Sequence, residues 1–354
     1  MGTACGAGFM LGVKTMQQSN QVILDIRNIK KYYPVMEGVF KKVTGHVKAV
    51  DDVSFQVHRG ETLGIVGESG CGKTTLGKCI VRLHKPTDGK ILYTLDGQER
   101  DLLTLDKEES FRTRRSIQIV FQDPYAALNP MKNILSIFDE PLRIHGFGDK
   151  AQRKEIIAEM LRRVNLQPDY MYRFPHEFSG GQRQRICIAK ALSLQPELLV
   201  CDEPVSALDV SIQAQILNLM KELQTAMGLT YVFIAHDLSV VQYMSDRIAV
   251  MYLGKVVELG RSDDVYNHCL HPYTEALLSA VPIPIPNARK NRILLTGDVP
   301  SPVNPPAGCP FHPRCPKCMD ICKREAPQLK SPIAGGDHFA ACHLANPISK
   351  PCDE

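Results

Sequence analysis

Gly64-Ile-Val-Gly-Glu-Ser-Gly-Cys-Gly-Lys-Thr-Thr75 decides the fold of this 354-residue chain. The apolar run from Thr62 to Val66 reads as a short buried strand. Gly67, Gly70 and Gly72 then forbid regular structure. From Lys73 the pattern turns helical, with Leu76, Ile80 and Leu83 on one face. Strand, glycine loop and helix fit G-x-x-x-x-G-K-[ST] from Gly67 to Thr74. Such a loop, here with Glu68, Ser69, Cys71 and Thr75 beside the glycines, closes backbone N–H groups around phosphate oxygens. The helix start adds its partial positive charge. Lys73 is expected to reach the β- and γ-phosphates, and Thr74 to place its hydroxyl on Mg²⁺. The ligand implied is a nucleoside triphosphate.

Outward from this loop, bulk properties narrow the classes. Net charge is +4, too mild to argue for nucleic acid as a partner. No run of 18 apolar residues exists, so no spanning helix is expected. The first 20 residues lack a basic flank and a cleavage site and are expected to be a disordered leader, with Met16 as an alternative start. Of the 12 cysteines, Cys71, Cys79, Cys187 and Cys201 sit in apolar or glycine-rich contexts and read as buried reduced thiols. ATP and Mg²⁺ imply the cytosol, where disulfides rarely persist.

Before the phosphate loop, Val22–Ile26 and Ala49–Val57 alternate like half-buried strands, with a loop carrying Gly38 and Gly45 between them. An antiparallel layer leading into a parallel core is the simplest arrangement. Tyr32 and Tyr33 offer an aromatic face to a planar base. After the loop, Ser116–Phe121 reads as a strand ending in Gln122, a polar neutral residue able to ligate Mg²⁺ or hold a water. Amphipathic helices over Ile134–Leu142 and Gln152–Val164 mark a helical insertion. Phe178-Ser-Gly-Gly-Gln182 then opens a helix with Ser179 as its N-cap, exposing N–H groups to an anion once more. The buried strand Leu198–Cys201 ends in Asp202 and Glu203, the expected place for metal and base at the edge of a parallel sheet. Asp202 is expected to hold Mg²⁺ through water and Glu203 to polarise the attacking water. A turn at Ser206–Asp209, a helix from Ser211 to Met227 and a strand ending in His236 follow. Arg247–Val257 suggests a hairpin through Leu253-Gly-Lys.

In this fixed order the motifs resemble those of the ATP-binding subunit of an ABC transporter, over about Val22 to Gly260. The resemblance implies an α/β P-loop NTPase with an antiparallel β subdomain and a helical subdomain. It makes Tyr33 the aromatic loop residue, with Tyr32 as second choice, and Gly67–Thr75 the Walker A loop. Gln122 becomes the Q-loop, and Ser179, Gly180, Gly181 and Gln182 the signature that meets the partner's ATP. Asp202 and Glu203 become Walker B and the catalytic carboxylate, Asp209 the D-loop and His236 the switch histidine. Gln122, Glu203 and His236 are then catalytic, and Thr74, Gln122 and Asp202 hold Mg²⁺. Two such domains are expected to close head to tail on ATP and drive permease subunits gripped by the helical insertion.

Narrower phrases are similar to one branch, the oligopeptide/dipeptide importer ATPases. They are Gly67-Glu-Ser-Gly-Cys-Gly-Lys73, Phe121-Gln-Asp-Pro-Tyr-Ala-Ala-Leu-Asn-Pro130 and His176-Glu-Phe-Ser-Gly-Gly-Gln-Arg-Gln-Arg185. Val35–Lys48 looks like the second of the two unequal ATPases. That implies a heterodimer, two permeases and an extracytoplasmic peptide-binding protein, with this chain at the cytoplasmic face of the inner membrane. Nickel or another small solute remains an alternative cargo, and a soluble ABC ATPase not coupled to transport an alternative class. The expected domains are 21–265, with 123–180 helical, and a Cys/Pro-rich C-terminal extension over 266–354.

In that extension the cysteines from Cys309 run C-x5-C-x2-C-x3-C, with Cys342 after a further 19 residues. A zinc site, an iron–sulfur cluster and free thiols on a proline-stiffened lobe are all compatible with the spacing. The resemblance picks Cys309, Cys315, Cys322 and Cys342 as the recurring set, which in some members carries a 4Fe-4S cluster. Cys318 is then an extra thiol or a rival ligand.

Overall fold

The computed structural model describes residues 21–38, 42–281 and 292–346. The expected leader, the alternative start and part of the proline-rich stretch after Val281 lie outside the described residues.

Strands β1 (Val22–Glu37), β2 (Lys42–His58), β4 (Asp88–Leu95) and β5 (Gln98–Asp101) form an antiparallel sheet in the order β2-β1-β4-β5. The second sheet takes β3 (Thr62–Val66), β6 (Ile117–Val120), β7 (Leu198–Asp202), β8 (Thr230–Ile234), β9 (Arg247–Tyr252), β10 (Lys255–Arg261) and β11 (Phe339–Ala340). Its order is β11-β10-β9-β3-β8-β7-β6, and the five strands from β9 to β6 run parallel. Such a sheet is covered on both faces, so its strands read as continuous apolar runs. Alternate residues serve different cores: Leu198 and Val200 face the antiparallel layer, while Leu199 and Cys201 face the helical side.

The helices are α1 (Lys73–Ile80), α2 (Lys107–Ser116), α3 (Pro124–Ala127), α4 (Ile134–Ile144), α5 (Lys150–Arg163), α6 (Gly180–Leu192), α7 (Val210–Met227), α8 (Leu238–Met244), α9 (Ser262–Asn267) and α10 (Pro272–Ser279). In the helical insertion Phe138 and Leu142 of α4 meet Ile157 and Leu161 of α5 in one core. Asp149 starts α5 with a capping box completed by Gln152.

Two expectations fail locally. The loop between the first strands is instead a long hairpin, with Val35 opposite Gly45. Tyr32, Tyr33, Val35, Val43 and Val47 are aromatic or β-branched, and on a pleated surface they outweigh the glycines. Leu83 is not on the core face of α1: the helix stops at Ile80, Arg82 takes a left-handed φ of 61°, and Leu83 is exposed.

The C-terminal extension shares the core of the nucleotide-binding part. β11 pairs with β10, placing Ala340 opposite Glu258. Phe311 is fully buried against Tyr252, Tyr273 and His271. His338 Nε2 lies 2.8 Å from the buried carboxylate of Glu258, which also accepts from the Leu270 and His271 N–H groups.

Candidate functional site

The parallel strands deliver their C-terminal ends to one edge. There β3 opens into the phosphate loop, β6 leads to Gln122, β7 to Asp202 and Glu203, and β8 to His236. The loop needs its glycines where the chain crowds. Gly72 has φ 105°, and a Cβ there would meet the Ala49 carbonyl oxygen at 2.0 Å.

Lys73 is buried with its ammonium turned back on the loop. Its Nζ donates to the Gly67 carbonyl at 2.7 Å and to the Glu68 carbonyl at 3.0 Å. A phosphate oxygen is the natural replacement for those acceptors. Thr74 Oγ1 donates to Asp202 Oδ1 at 2.8 Å, joining two of the three Mg²⁺ candidates across the edge, while Gln122 bonds to Glu203. Burial raises the Asp202 carboxyl above its ordinary pKa, against the opposing pull of the Thr74 hydrogen bond. A hard oxygen donor set with a destabilised carboxylate suits a divalent cation.

Glu203 is the hub of the edge. Its Oε2 accepts from Gln122 Nε2 at 2.9 Å and lies 3.2 Å from His236 Nδ1. The residue has φ 46°, uncommon for a non-glycine, and its N–H donates to Ile234 O at 2.9 Å. That bond locks the turn and aims the carboxylate. The arrangement can hold a water and accept its proton.

Of the paired tyrosines, Tyr33 interacts with the Thr75 side chain at the loop's end and meets His84 edge-on. The Tyr32 hydroxyl donates to Asp51 instead. Ser179 caps α6 as expected: its hydroxyl accepts from the Gln182 N–H, and the Gln182 side chain accepts from the Ser179 N–H. Ser179, Gly180, Gly181 and Gln182 are not gathered with the other site residues. Among the described residues, no hydrogen bond joins them to Gly67–Thr75. Gly181 packs on α7, where a Cβ would come within 2.6 Å of Ile212 Cγ2. Asp209 begins α7 exposed, without a side-chain cap.

Cys309, Cys315, Cys322 and Cys342 line one small pocket together with His271 and Phe311. Cys318 is not among its lining, and its thiol lies 3.5 Å from the Met319 carbonyl. Burial pushes the Cys309 thiol up to about 12, with Cys322, Cys342 and Cys315 adding to the effect. Among the described residues, no three His, Cys, Asp or Glu side chains are grouped to hold a metal ion. The thiols of Cys71, Cys79, Cys187 and Cys201 are free and buried, and burial raises each of them.

Motif reading missed two residues, Tyr273 and Arg314. The Tyr273 hydroxyl accepts from the Glu68 N–H at 2.9 Å, and Arg314 donates twice to the Glu68 carboxylate. They lie 205 and 246 positions from Glu68, beyond any local pattern.

Residues 50–206 match the ABC transporter family model, and residues 257–322 match the C-terminal region of oligopeptide/dipeptide transporters. The chain is 54% identical over 333 residues to the oligopeptide transport ATP-binding protein AppF of Bacillus subtilis, spanning 93% of this chain and 99% of that protein. It is 50% identical to the dipeptide transport ATP-binding protein DppF of Haemophilus influenzae, spanning 90% and 96%. Among solved structures, the ATP-binding cassette MJ0796, dimeric in a post-hydrolysis state with ADP and Pi, aligns at TM-score 0.58 and 30% identity. The match covers 68% of this chain and 99% of that one. CbiO1 from Clostridium perfringens aligns at TM-score 0.58 and 25% identity, covering 70% and 92%.

Proposed function

The chain belongs to the ATP-binding proteins of ABC transporters, and from that premise we propose that it is the ATP-hydrolysing subunit of an importer of di- and oligopeptides. The observation that carries the ATPase reading is the Glu203 hub, with Gln122 and His236 both on its carboxylate beside the phosphate loop. The peptide reading draws support from the names of the relatives and from the matched C-terminal region.

Each residue then has a task. Gly67, Ser69, Gly70, Cys71, Gly72, Thr74 and Thr75 cradle the phosphates, Glu68 lies in the same loop with its N–H given to the Tyr273 hydroxyl, Lys73 moves from its carbonyls to the β- and γ-oxygens, and Tyr33 stacks on the base. Thr74, Gln122 and Asp202 hold Mg²⁺, which when bound supplies positive charge against the phosphate oxygens. Glu203 orients the attacking water and takes its proton, and His236 steadies the carboxylate and the γ-phosphate. Ser179, Gly180, Gly181 and Gln182 face the ATP of a second ATPase subunit, with Asp209 exposed near the same junction.

Heterodimer pairing, two permeases and an extracytoplasmic peptide-binding protein complete the assembly, with this chain at the cytoplasmic face of the membrane. None of its described helices is long and apolar enough to cross the bilayer. A structural 4Fe-4S cluster on Cys309, Cys315, Cys322 and Cys342 draws support from their soft donors and shared pocket alone, and it requires the thiols to draw together from positions in which no three of them are grouped for a metal.

The test is copurification of the complete membrane assembly followed by uptake assays in proteoliposomes. Accumulation of peptides, driven by ATP, supports the proposal. Uptake of nickel in place of peptides overturns the cargo, and ATP turnover by this chain with no permease bound overturns the transport role.

A further inference from the structure

An acidic residue in a phosphate-binding loop is electrostatically out of place. Glu68 brings a negative charge to the loop that must accept a polyanion. In this chain three groups hold that residue. Lys73 Nζ donates to its carbonyl at 3.0 Å, the Tyr273 hydroxyl accepts from its N–H at 2.9 Å, and Arg314 grips its carboxylate. The guanidinium is two-pronged, with Nη1 at 2.8 Å from Oε2 and Nη2 at 3.3 Å from Oε1. The Arg314 side chain is 9% exposed and that of Glu68 29%, so the pair is partly screened by solvent on the Glu68 side.

Both Tyr273 and Arg314 come from the C-terminal extension. Phe311, three residues before Arg314, packs tilted against the Tyr273 ring at 5.4 Å between centroids, and Tyr252 packs against both rings at 4.7 and 5.3 Å. These contacts fix where the guanidinium sits. We propose that Arg314 is a positioning residue for the ATP site: it neutralises Glu68 and holds the phosphate loop in its nucleotide-accepting shape. The proposal rests on the assignment of Gly67–Thr75 as the ATP loop.

The test measures KM for MgATP and kcat in the full assembly. Arg314→Met leaves Glu68 charged and unpaired, and KM rises about tenfold, the size of one lost charged hydrogen bond, while kcat stays within about twofold. Adding Glu68→Gln removes the repelling charge, and KM returns to within about threefold of the parent. Arg314→Lys keeps the charge without the fork and lies between. Relief by a second substitution is not expected of a merely structural contact. Should Arg314→Met not fold, Arg314→Gln serves in the same pair of measurements.

An unchanged KM in the folded Arg314 variant, or no relief on adding Glu68→Gln, overturns the proposal. Lys73→Ala separates the two claims. If it binds ATP normally, the loop assignment fails. If it loses ATP while Arg314→Met keeps full affinity, only the role of Arg314 fails.

Discussion

His236 Nδ1 lies 3.2 Å from Glu203 Oε2, so a residue after β8 and a residue after β7 meet at one carboxylate oxygen. Gln122 Nε2 donates to that same oxygen at 2.9 Å from the end of β6. Three strand ends thus converge on the carboxylate that the proposed function has orient water. Glu203→Gln keeps the shape and removes the base. Hydrolysis by the assembly is expected to fall about 10²–10⁴-fold with ATP affinity retained, read by phosphate release and by equilibrium nucleotide binding. Turnover within tenfold of the parent contradicts the assignment.

Lys73 is the buried cation of the loop, held by two carbonyls until phosphate arrives. Lys73→Ala removes a charged donor, and MgATP affinity weakens about 10–100-fold. Fluorescent-nucleotide titration measures this directly, and equal affinity rules the loop assignment out.

Asp202 gives a pH-dependent prediction. Burial raises its folded pKa above the ordinary 3.8, so folding favours the protonated acid. The stability this lends is fully present below pH 3.8 and is lost as pH rises through the raised folded value. At neutral pH without nucleotide the ionised carboxylate is therefore a burden. Asp202→Asn is expected to raise Tm at pH 7 and to bring little gain at the acid end. Mg²⁺-dependent hydrolysis falls about 10–100-fold at the same time. A lower Tm at pH 7 than the parent refutes the burial argument.

Of the five cysteines from Cys309 to Cys342, the pocket separates Cys318 from the other four. Iron and sulfide analysis of anaerobically purified protein is expected to find the metal retained in Cys318→Ser and reduced at least several-fold in Cys342→Ser. Equal loss in both variants makes Cys318 a ligand, and absence of iron and sulfide from the parent protein removes the cluster.

Much of the site was legible because its chemistry is local. The glycines of the phosphate loop, the acids after an apolar strand and the Ser179 cap each declare themselves within a few residues. The phosphate loop and the acids meet at one sheet edge because parallel strands end together, while the Ser179 cap lies away from it. Misread segments share a cause as well. Gly45 lies opposite Val35 in a hairpin because flanking aromatic and β-branched residues carry the strand through it, and Leu83 points outward because Arg82 ends the helix. The clamp on Glu68 had no local signal. It exists because the extension adds β11 to the core sheet and buries Phe311, placing Tyr273 and Arg314 over a loop some 200 residues earlier.

Association of this chain with its partner ATPase subunit, measured with and without MgATP in the Glu203→Gln background, tests the central claim most directly. Ser179–Gln182 and Lys73 are not joined within this chain, and the proposed function has a bridging triphosphate bring the signature turn of one subunit to the phosphate loop of the other. The expected result is an association at least about tenfold tighter with MgATP, abolished by Lys73→Ala. Equal association with and without nucleotide contradicts the account.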